Sequence, residues 1–269
     1  MTHMIYVVPS LKAKEKLQCE GKAWAESQGF PYVPRGKRTI QDLMDEYGED
    51  FLVYSSRGPQ IDRPEGSHFF SLNMAELRIQ NLRKGQRDHL LEALMGRGSS
   101  KLPITVLDCT CGFGADAAVA SFGLPAGSHV DALEVSPLLE AVTSWGFSHF
   151  VHKKDDVTAA LRRISLRRGD YRDYLLSDEG PVYDVLYFDP MFQRPVEASC
   201  QFQPVRAIME HGGLTRDLIE RAMQKARRRV VIKERDFRQL CRDFPEVTLY
   251  GGKYSRIGYA VLECDSWKK

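Results

Sequence analysis

Short apolar runs alternate with longer amphipathic stretches over the C-terminal two thirds of the chain. The apolar runs predict strands at residues 104–107, 128–133, 161–166, 182–188 and 229–233. The stretches that follow them predict helices at 115–121, 137–147, 171–176, 215–226 and 236–242. Two last runs, 247–250 and 254–263, flank Gly251-Gly252 and predict an antiparallel pair. Strands that alternate with helices form a doubly wound, mostly parallel sheet, so residues 99–269 are predicted to form a seven-stranded α/β domain.

Residues 1–98 follow a different pattern, which predicts a small N-terminal mixed α/β domain. Its predicted elements are strands at 5–8 and 51–54, a helix over 11–28, a loop rich in glycine and proline at 55–67, and two short helices separated by Lys84 and Gly85. Thr39 and Asp42 are spaced to cap a further helix that runs through Tyr47. We expect this domain to hold a substrate over the larger one, or merely to cover a sheet edge.

Composition places the chain among ordinary globular proteins. Of its 269 residues, 43% are hydrophobic and 28% are charged. No apolar run approaches the roughly 20 residues that span a bilayer, and no signal-peptide pattern is present, so a cytoplasmic location is expected. The six cysteines lack paired metal-ligand spacing, and we predict no metal site.

Basic residues are clustered although the net charge is only +2. The clusters lie at 12–38, 162–172 and 227–229. Such clusters neutralise phosphates in nucleic-acid-binding proteins, but they are equally typical of solvated helix faces. Basicity alone therefore leaves RNA binding open.

The turn after the first predicted strand has the residues of a nucleotide-binding loop. Gly112 and Gly114 let the backbone approach a ligand, and the next helix offers unpaired N–H groups. With Ala117 and Glu134 they also fit a dinucleotide fingerprint, as in a dehydrogenase. Asp108 would crowd a pyrophosphate, however, and favours S-adenosyl-L-methionine (SAM), which has a sulfonium and an amino group but no phosphate. The alternative role of Asp108 is to cap its own turn.

Acidic residues follow the next two predicted strands as well. Glu134, with Val135 beside it, is predicted to bind the ribose hydroxyls of the cofactor. Asp170 is predicted to accept the adenine amino group, with the ring of Tyr171 against the base. Asp170 could equally be the N-cap of the following helix.

The sequence Asp189-Pro190-Met191-Phe192 follows the fourth strand and is predicted to be catalytic. Asp189 and the Pro190 carbonyl can accept both hydrogens of an exocyclic amine, which turns its lone pair toward a methyl donor. An aromatic ring such as Phe192 can stack on the base. Substrate contacts are predicted for Arg194, Lys233 and Arg235. A simple strand-ending turn is the alternative interpretation of Asp-Pro.

These segments, together with Val230-Val231-Ile232-Lys233, resemble the RsmJ-type family of SAM-dependent methyltransferases, which modifies guanine N2 in small-subunit ribosomal RNA. The resemblance covers the C-terminal two thirds of the chain. It implies a class I, Rossmann-like methyltransferase fold, SAM as cofactor and RNA as partner. By the same match, the predicted SAM pocket is lined by Asp108, Gly112, Gly114 and Asp116, and Cys109 beside Asp108 is also predicted to bind the cofactor. Alternatives are a methyltransferase for a small molecule or protein side chain, and a non-catalytic SAM-binding assembly factor.

Overall fold

A computed structural model describes residues 4–48, 50–96, 102–190, 213–251 and 257–264. These residues form a four-stranded and a seven-stranded sheet, with helices packed on both. None of the helices in these ranges is long and apolar enough to cross a membrane.

The smaller sheet is built from the N-terminal segment. Its strands are β1 (Ile5–Pro9), β2 (Asp50–Ser55), β3 (Gly58–Arg63) and β4 (Gly66–Phe69), in that order across the sheet. β1 runs parallel to β2, and the other neighbours are antiparallel. The helices α1 (Glu15–Gln28) and α2 (Ile40–Tyr47) lie between β1 and β2 in sequence, and the predicted capping box of Thr39 and Asp42 is present at the start of α2.

The predicted loop at 55–67 is wrong, because β3 and β4 occupy it. Glycine and proline at its start and charged residues inside it concealed the strands. Pro59 lies opposite Tyr54, and Ile61 is fully buried. Arg63 is buried too, and its Nε lies 2.9 Å from Asp50 Oδ1. The strand β3 is buried along most of its length and contains one residue of a buried ion pair. It therefore lacks the alternation of apolar and polar residues that a half-exposed strand would show.

Two helices, α3 (Asn73–Arg83) and α4 (His89–Met95), follow β4, as predicted. Asp88 caps α4 by accepting hydrogen bonds from the backbone N–H groups of Leu90 and Leu91. The α4 side chains Leu90, Leu91 and Leu94 are almost fully buried. Both helices thus present an apolar face to the rest of the chain.

The larger sheet has the predicted seven strands: β5 (Thr105–Asp108), β6 (His129–Glu134), β7 (Ile164–Arg168), β8 (Val185–Phe188), β9 (Arg229–Glu234), β10 (Thr248–Gly251) and β11 (Gly258–Glu263). Their order is β10-β11-β9-β8-β5-β6-β7. β11 is antiparallel to both of its neighbours, and the other pairs are parallel. The doubly wound α/β prediction is confirmed.

Helices follow the strands nearly where the sequence predicts them. They are α5 (Ala115–Gly123), α6 (Pro137–His149), α7 (Asp155–Leu161), α8 (Tyr171–Leu176), α9 (Arg216–Lys225) and α10 (Arg238–Asp243). Of these, α7 was not predicted. The prediction of a strand from 161 is wrong in its first part, since Leu161 ends α7, and β7 begins at Ile164. Leu161 is fully buried, so its apolar character came from helix packing rather than from the sheet.

The smaller sheet rests on α6, and two glycines permit the close approach. A Cβ atom on Gly146 would lie 2.0 Å from Cγ of Phe70, and one on Gly58 would lie 2.5 Å from Cε3 of Trp145. Phe70 also packs edge-on against the rings of Phe147 and Phe150. The smaller sheet is therefore joined to α6 through aromatic contacts.

Candidate active site

The loop after β5 is shaped by two glycines in the left-handed conformation. Gly112 has φ 53° and Gly114 has φ 75°. A Cβ on Gly114 would lie 2.4 Å from Cζ of Phe147, so no other residue fits there. The Gly112 carbonyl accepts a hydrogen bond of 2.9 Å from the Thr143 hydroxyl. Helix α6 thus fixes the loop that was predicted to bind a nucleotide.

Asp108 ends β5 and lies under this loop, 2% exposed. Its Oδ1 accepts a hydrogen bond of 3.1 Å from the Thr110 backbone N–H, which is the turn interaction given above as its alternative role. Burial raises the pKa of Asp108 well above its usual range, and the carboxylates of Asp116 and Asp189 raise it further. Capping one N–H leaves the carboxylate able to accept further hydrogen bonds.

Glu134 ends β6 and is also buried. Its two oxygens accept hydrogen bonds of 2.8 Å from the backbone N–H groups of Gly112 and Ser136. Burial raises the pKa of Glu134, and these N–H groups oppose the rise because they stabilise the charged form. Glu134 therefore joins the ends of β5 and β6 with a carboxylate at the sheet edge.

Asp116, in the first turn of α5, has three polar partners. Its Oδ1 accepts a hydrogen bond from Arg78 of α3. Its Oδ2 accepts from Lys233 Nζ at 2.7 Å and from the Tyr187 hydroxyl at 2.8 Å. The two cations outweigh the effect of burial and hold the pKa of Asp116 below its usual range. The predicted cofactor contact is thus also the centre of an ion network.

Asp189 follows β8 and meets the same network. Lys233 Nζ donates to its Oδ2 at 2.7 Å, and its backbone N–H donates to the Thr110 hydroxyl at 2.7 Å. The side chain is 28% exposed. Burial raises the pKa of Asp189 to about 6, with Lys233 opposing the rise and Asp116 adding to it. At neutral pH the group is mainly an ionised acceptor.

The remaining predicted cofactor residues have structural contacts of their own. Asp170 is the N-cap of α8, accepting from Arg172 N–H at 2.8 Å, and it also pairs with the Arg172 guanidinium. The Tyr171 ring is 6% exposed and meets Phe188 edge-on, with ring centroids 5.4 Å apart. Cys109 is buried, and Val135 is half-buried. The N-cap alternative for Asp170 is present in the structure, while binding to adenine stays a prediction.

Among the predicted catalytic and substrate residues, the structure brings together Asp189, Pro190 and Lys233. Met191, Phe192 and Arg194 lie outside the described residues. Arg235 is exposed, and its backbone N–H donates to the side chain of Glu234. Lys233 donates to two carboxylates of the chain itself, a contact that the sequence did not predict.

Residues 67–257 match the family described as "Putative SAM-dependent methyltransferase". The chain belongs to this family. It is a SAM-dependent methyltransferase, and its cofactor is S-adenosyl-L-methionine.

Individual relatives match a larger share of the chain than the family's residues 67–257. YpiP of Bacillus subtilis is 29% identical over 230 residues, which cover 85% of this chain and 88% of YpiP. Ribosomal RNA small subunit methyltransferase J of Thioalkalivibrio sulfidiphilus is 30% identical and covers 82% of this chain and 84% of its own. The resemblance to the RsmJ-type family is confirmed by these relatives.

Solved structures with similar folds are more distant. TrmN from Thermus thermophilus has a TM-score of 0.42 and 17% identity, covering 97% of this chain and 71% of TrmN. An O-methyltransferase from Bacillus cereus in complex with SAH has a TM-score of 0.43 and 14% identity, covering 71% of this chain and 90% of that one.

Three residues that the sequence analysis missed contact the predicted site residues Asp116 and Asp189. Arg78 comes from α3, Thr110 holds the backbone of Asp189, and Tyr187 donates to Asp116. Arg78 carried a signal, because it lies on the same helix face as the buried Ala75 and Ile79. A charged residue on an apolar face needs a buried partner.

A fourth missed contact joins the smaller sheet to the loop after β5. The imidazole of His68, on β4, lies against the Phe113 ring with centroids 4.4 Å apart. Burial lowers the pKa of His68 to about 4, so this side chain is neutral at physiological pH.

The basic clusters have mixed roles in the methyltransferase. Arg162 donates to the backbone carbonyls of Phe147 and Phe150, and Arg163 donates to that of Ser121. Arg229 is buried beside Glu263. Part of the clustered basic charge therefore stabilises the fold. Within the described ranges, no group of His, Cys, Asp and Glu side chains is placed to hold a metal ion.

Proposed function

We propose that the chain methylates an exocyclic amine of a nucleobase, and specifically N2 of guanine in small-subunit ribosomal RNA. The observation that carries this proposal is the placement of Asp189-Pro190 directly after β8, beside Asp108 at the end of the adjacent strand β5. Carboxyl ends of parallel strands form the ligand crevice of doubly wound sheets. The proposed amine acceptor and the proposed cofactor-binding carboxylate thus share one edge of the sheet.

The charge of this edge fits SAM. The carboxylates of the network outnumber its cations within the described ranges: Asp88, Asp108, Asp116 and Asp189 accompany Arg78 and Lys233. A cationic ligand would stabilise the ionised form of Asp108, whose pKa burial raises well above its usual range. We assign the charged end of the cofactor to Asp108 and its ribose to Glu134, where buried carboxylate oxygens meet the glycine loop.

The chain's own residues then orient the amine. SAM supplies an electrophilic methyl group. Asp189 Oδ2 is held by Lys233, and in the proposal Oδ1 accepts one hydrogen of the amine while the Pro190 carbonyl accepts the other. Both bonds direct the nitrogen lone pair toward the methyl group, and positioning of this kind can supply much of the rate acceleration. The hydrogen bond from Asp189 N–H to Thr110 keeps this corner against the cofactor loop.

The relatives support ribosomal RNA as the substrate class. Several of them are named ribosomal RNA small subunit methyltransferase J, at 27–30% identity. The sequence Asp189-Pro190-Met191-Phe192 is part of the resemblance to that family, and its described residues, Asp189 and Pro190, form the proposed amine site. Guanine N2 follows from the same resemblance.

Nucleoside mass spectrometry of small-subunit RNA tests the proposal. RNA from cells lacking the protein should have less N2-methylguanosine than wild-type RNA, and the purified protein should restore it with SAM. An unchanged nucleoside profile would contradict the proposal. Transfer of labelled methyl groups to an RNA-free extract, with none to RNA, would instead indicate a small-molecule or protein substrate.

Asp189→Ala should abolish this restoration while leaving SAM affinity within a few fold, because Asp189 is assigned to the amine and not to the cofactor. Isothermal titration calorimetry with SAM and a methyl-transfer assay on the same preparation measure the two effects. Asp236→Ala is the matched control, since it removes an exposed carboxylate beyond β9. Equal loss of binding and transfer in Asp189→Ala would place Asp189 in the cofactor site.

A further inference from the structure

The ion network runs in one line from the N-terminal segment to the proposed amine site. Arg78 on α3 is held by both oxygens of Asp88, through Nε and Nη2 at 2.8 Å, and donates to Asp116. Asp116 accepts from Lys233, which donates to Asp189. Residues of α3, the start of α4, α5 and β9 thus hold the carboxylate of Asp189 in place.

Lys233 is the link on which Asp189 depends. Its Nζ lies 2.7 Å from Asp116 Oδ2 and 2.7 Å from Asp189 Oδ2, and its side chain is 15% exposed. A lysine ammonium has three donors, and two of them are used here. A flexible side chain held at both carboxylates loses its freedom to swing toward a substrate.

We propose that Lys233 is a positioning residue that fixes the carboxylate of Asp189 as the amine acceptor, and that Asp116 and Arg78 hold Lys233 in place. This inference rests on the proposed function for the role of Asp189. The sequence suggested a substrate contact for Lys233, whereas both of its contacts in the structure are to carboxylates of the chain.

The charges around Asp189 predict the direction in which each substitution should shift its pKa. The groups that face it come from four elements of the larger sheet and its helices: Lys233 and Glu234 on β9, Asp116 on α5, Asp108 on β5 and Tyr187 on β8. Lys233 stabilises the ionised carboxylate, and Asp116 destabilises it. Removing the positive charge should therefore raise the pKa of Asp189, and removing the negative charge should lower it.

The decisive experiment is a ¹³C NMR titration of aspartate carboxyl groups in the full-length protein, with Asp189→Asn identifying the signal. Lys233→Met should move the Asp189 midpoint upward by about 1–3 pH units, the range for an opposite charge in contact. Asp116→Asn should move it downward. Lys233→Arg retains the charge and should stay near the wild type, as should Asp236→Asn on the surface.

Shifts of the same sign in Lys233→Met and Asp116→Asn, or no shift in either, would overturn the proposal. If circular dichroism shows that Lys233→Met is unfolded, Lys233→Gln replaces it and should also move the Asp189 midpoint upward, and an unchanged midpoint in that folded variant would overturn the proposal. This measurement uses no substrate and is independent of the proposed reaction.

Methyl transfer to small-subunit RNA provides the second readout. Ionised Asp189 is a stronger acceptor for the amine hydrogen than the protonated carboxyl group, so the rate should fall as pH decreases through its pKa. This acid limb should move upward in Lys233→Met and downward in Asp116→Asn. At pH 7, Lys233→Met should lose about 10²-fold in kcat, as for a misplaced group, with partial recovery in Lys233→Arg.

A wild-type protein that titrates as expected but transfers no methyl group would contradict the proposed function alone. If the variants are active but their pH–rate profiles have the same acidic limb as the wild type, the positioning role is contradicted.

Discussion

At the scale of single residues, Glu134 combines two tasks that can be separated. It accepts hydrogen bonds from Gly112 and Ser136, and it is assigned to the cofactor ribose. Glu134→Ala should weaken S-adenosylhomocysteine binding by about 10-fold or more, since a hydrogen bond to a charged group contributes about 1.5–3 kcal/mol.

A 2′-deoxyribose analogue of S-adenosylhomocysteine distinguishes the two tasks in calorimetry. The wild type should prefer the ribose form, and Glu134→Ala should lose that preference. Glu140→Ala, a half-buried glutamate in α6, is the control and should keep it. Weaker binding with an unchanged preference would mean that Glu134 only shapes the loop.

Residues at strand ends were predictable, and residues from distant helices were not. Asp108, Glu134 and Asp189 could be placed together from the sequence because carboxyl ends of parallel strands meet at one edge. Arg78 lies 38 positions before Asp116, and no local pattern encodes that pairing. The same holds for Lys233, whose predicted partner was a substrate and whose observed partners are two aspartates.

At the scale of elements, α6 supports both the loop after β5 and the smaller sheet. Gly146→Ala would normally stabilise a helix interior by about 1 kcal/mol. Here the added methyl group would overlap Phe70, which other rings hold in place. We expect a loss of about 1–3 kcal/mol in the free energy of unfolding, as for other overpacked sites.

Urea denaturation of four proteins measures this effect: the wild type, Gly146→Ala, Phe70→Ala and the double variant. Phe70→Ala alone should destabilise by opening a cavity. In its background, Gly146→Ala should be neutral or stabilising, because the overlap is gone. A stabilising Gly146→Ala in the wild-type background would show that Phe70 can move aside.

Elements with regular periodicity were predicted well, and elements formed by pairing were not. The helix α9 and its cap at Thr215 follow from local signals alone. By contrast, β3 begins with Gly58-Pro59 and contains the buried Asp62 and Arg63, so its strand character depends on β2 beside it. Sequence periodicity cannot report a partner strand.

At the scale of the whole molecule, α3 and α4 pack with the larger sheet although they precede the predicted boundary at 98/99. A Cβ on Gly123 of α5 would lie 2.2 Å from Leu91 Cδ1, and Arg229 Nη1 lies 3.5 Å from the Ala93 carbonyl oxygen. The family match begins at residue 67, before both helices. These contacts favour grouping α3 and α4 with the methyltransferase domain, which two fragments can test.

A fragment of residues 67–269 should fold and bind SAM, whereas a fragment of residues 99–269 should not. The shorter fragment loses Leu90, Leu91 and Leu94, each contributing about 1.5–3 kcal/mol when fully buried. It also leaves Asp116 without Arg78, and breaking a buried pair costs about 3–5 kcal/mol. Such losses rival the roughly 5–15 kcal/mol that stabilises a typical domain.

Thermal denaturation with and without SAM measures both fragments. The full chain is the reference for the midpoint and for the shift that the ligand produces. A cooperative, SAM-responsive transition in the 99–269 fragment would restore the boundary at 98/99.

The bond between Arg78 and Asp116 has a consequence for hybrids assembled from related methyltransferases. A crossover before residue 67 transfers the arginine and both aspartates that bind it as one inherited set, while a crossover between residues 78 and 116 separates them. Exchange of sequence between homologues should therefore succeed at the first junction. A hybrid joined between residues 78 and 116 should fold only if both parent proteins have the same cationic residue at the position of Arg78.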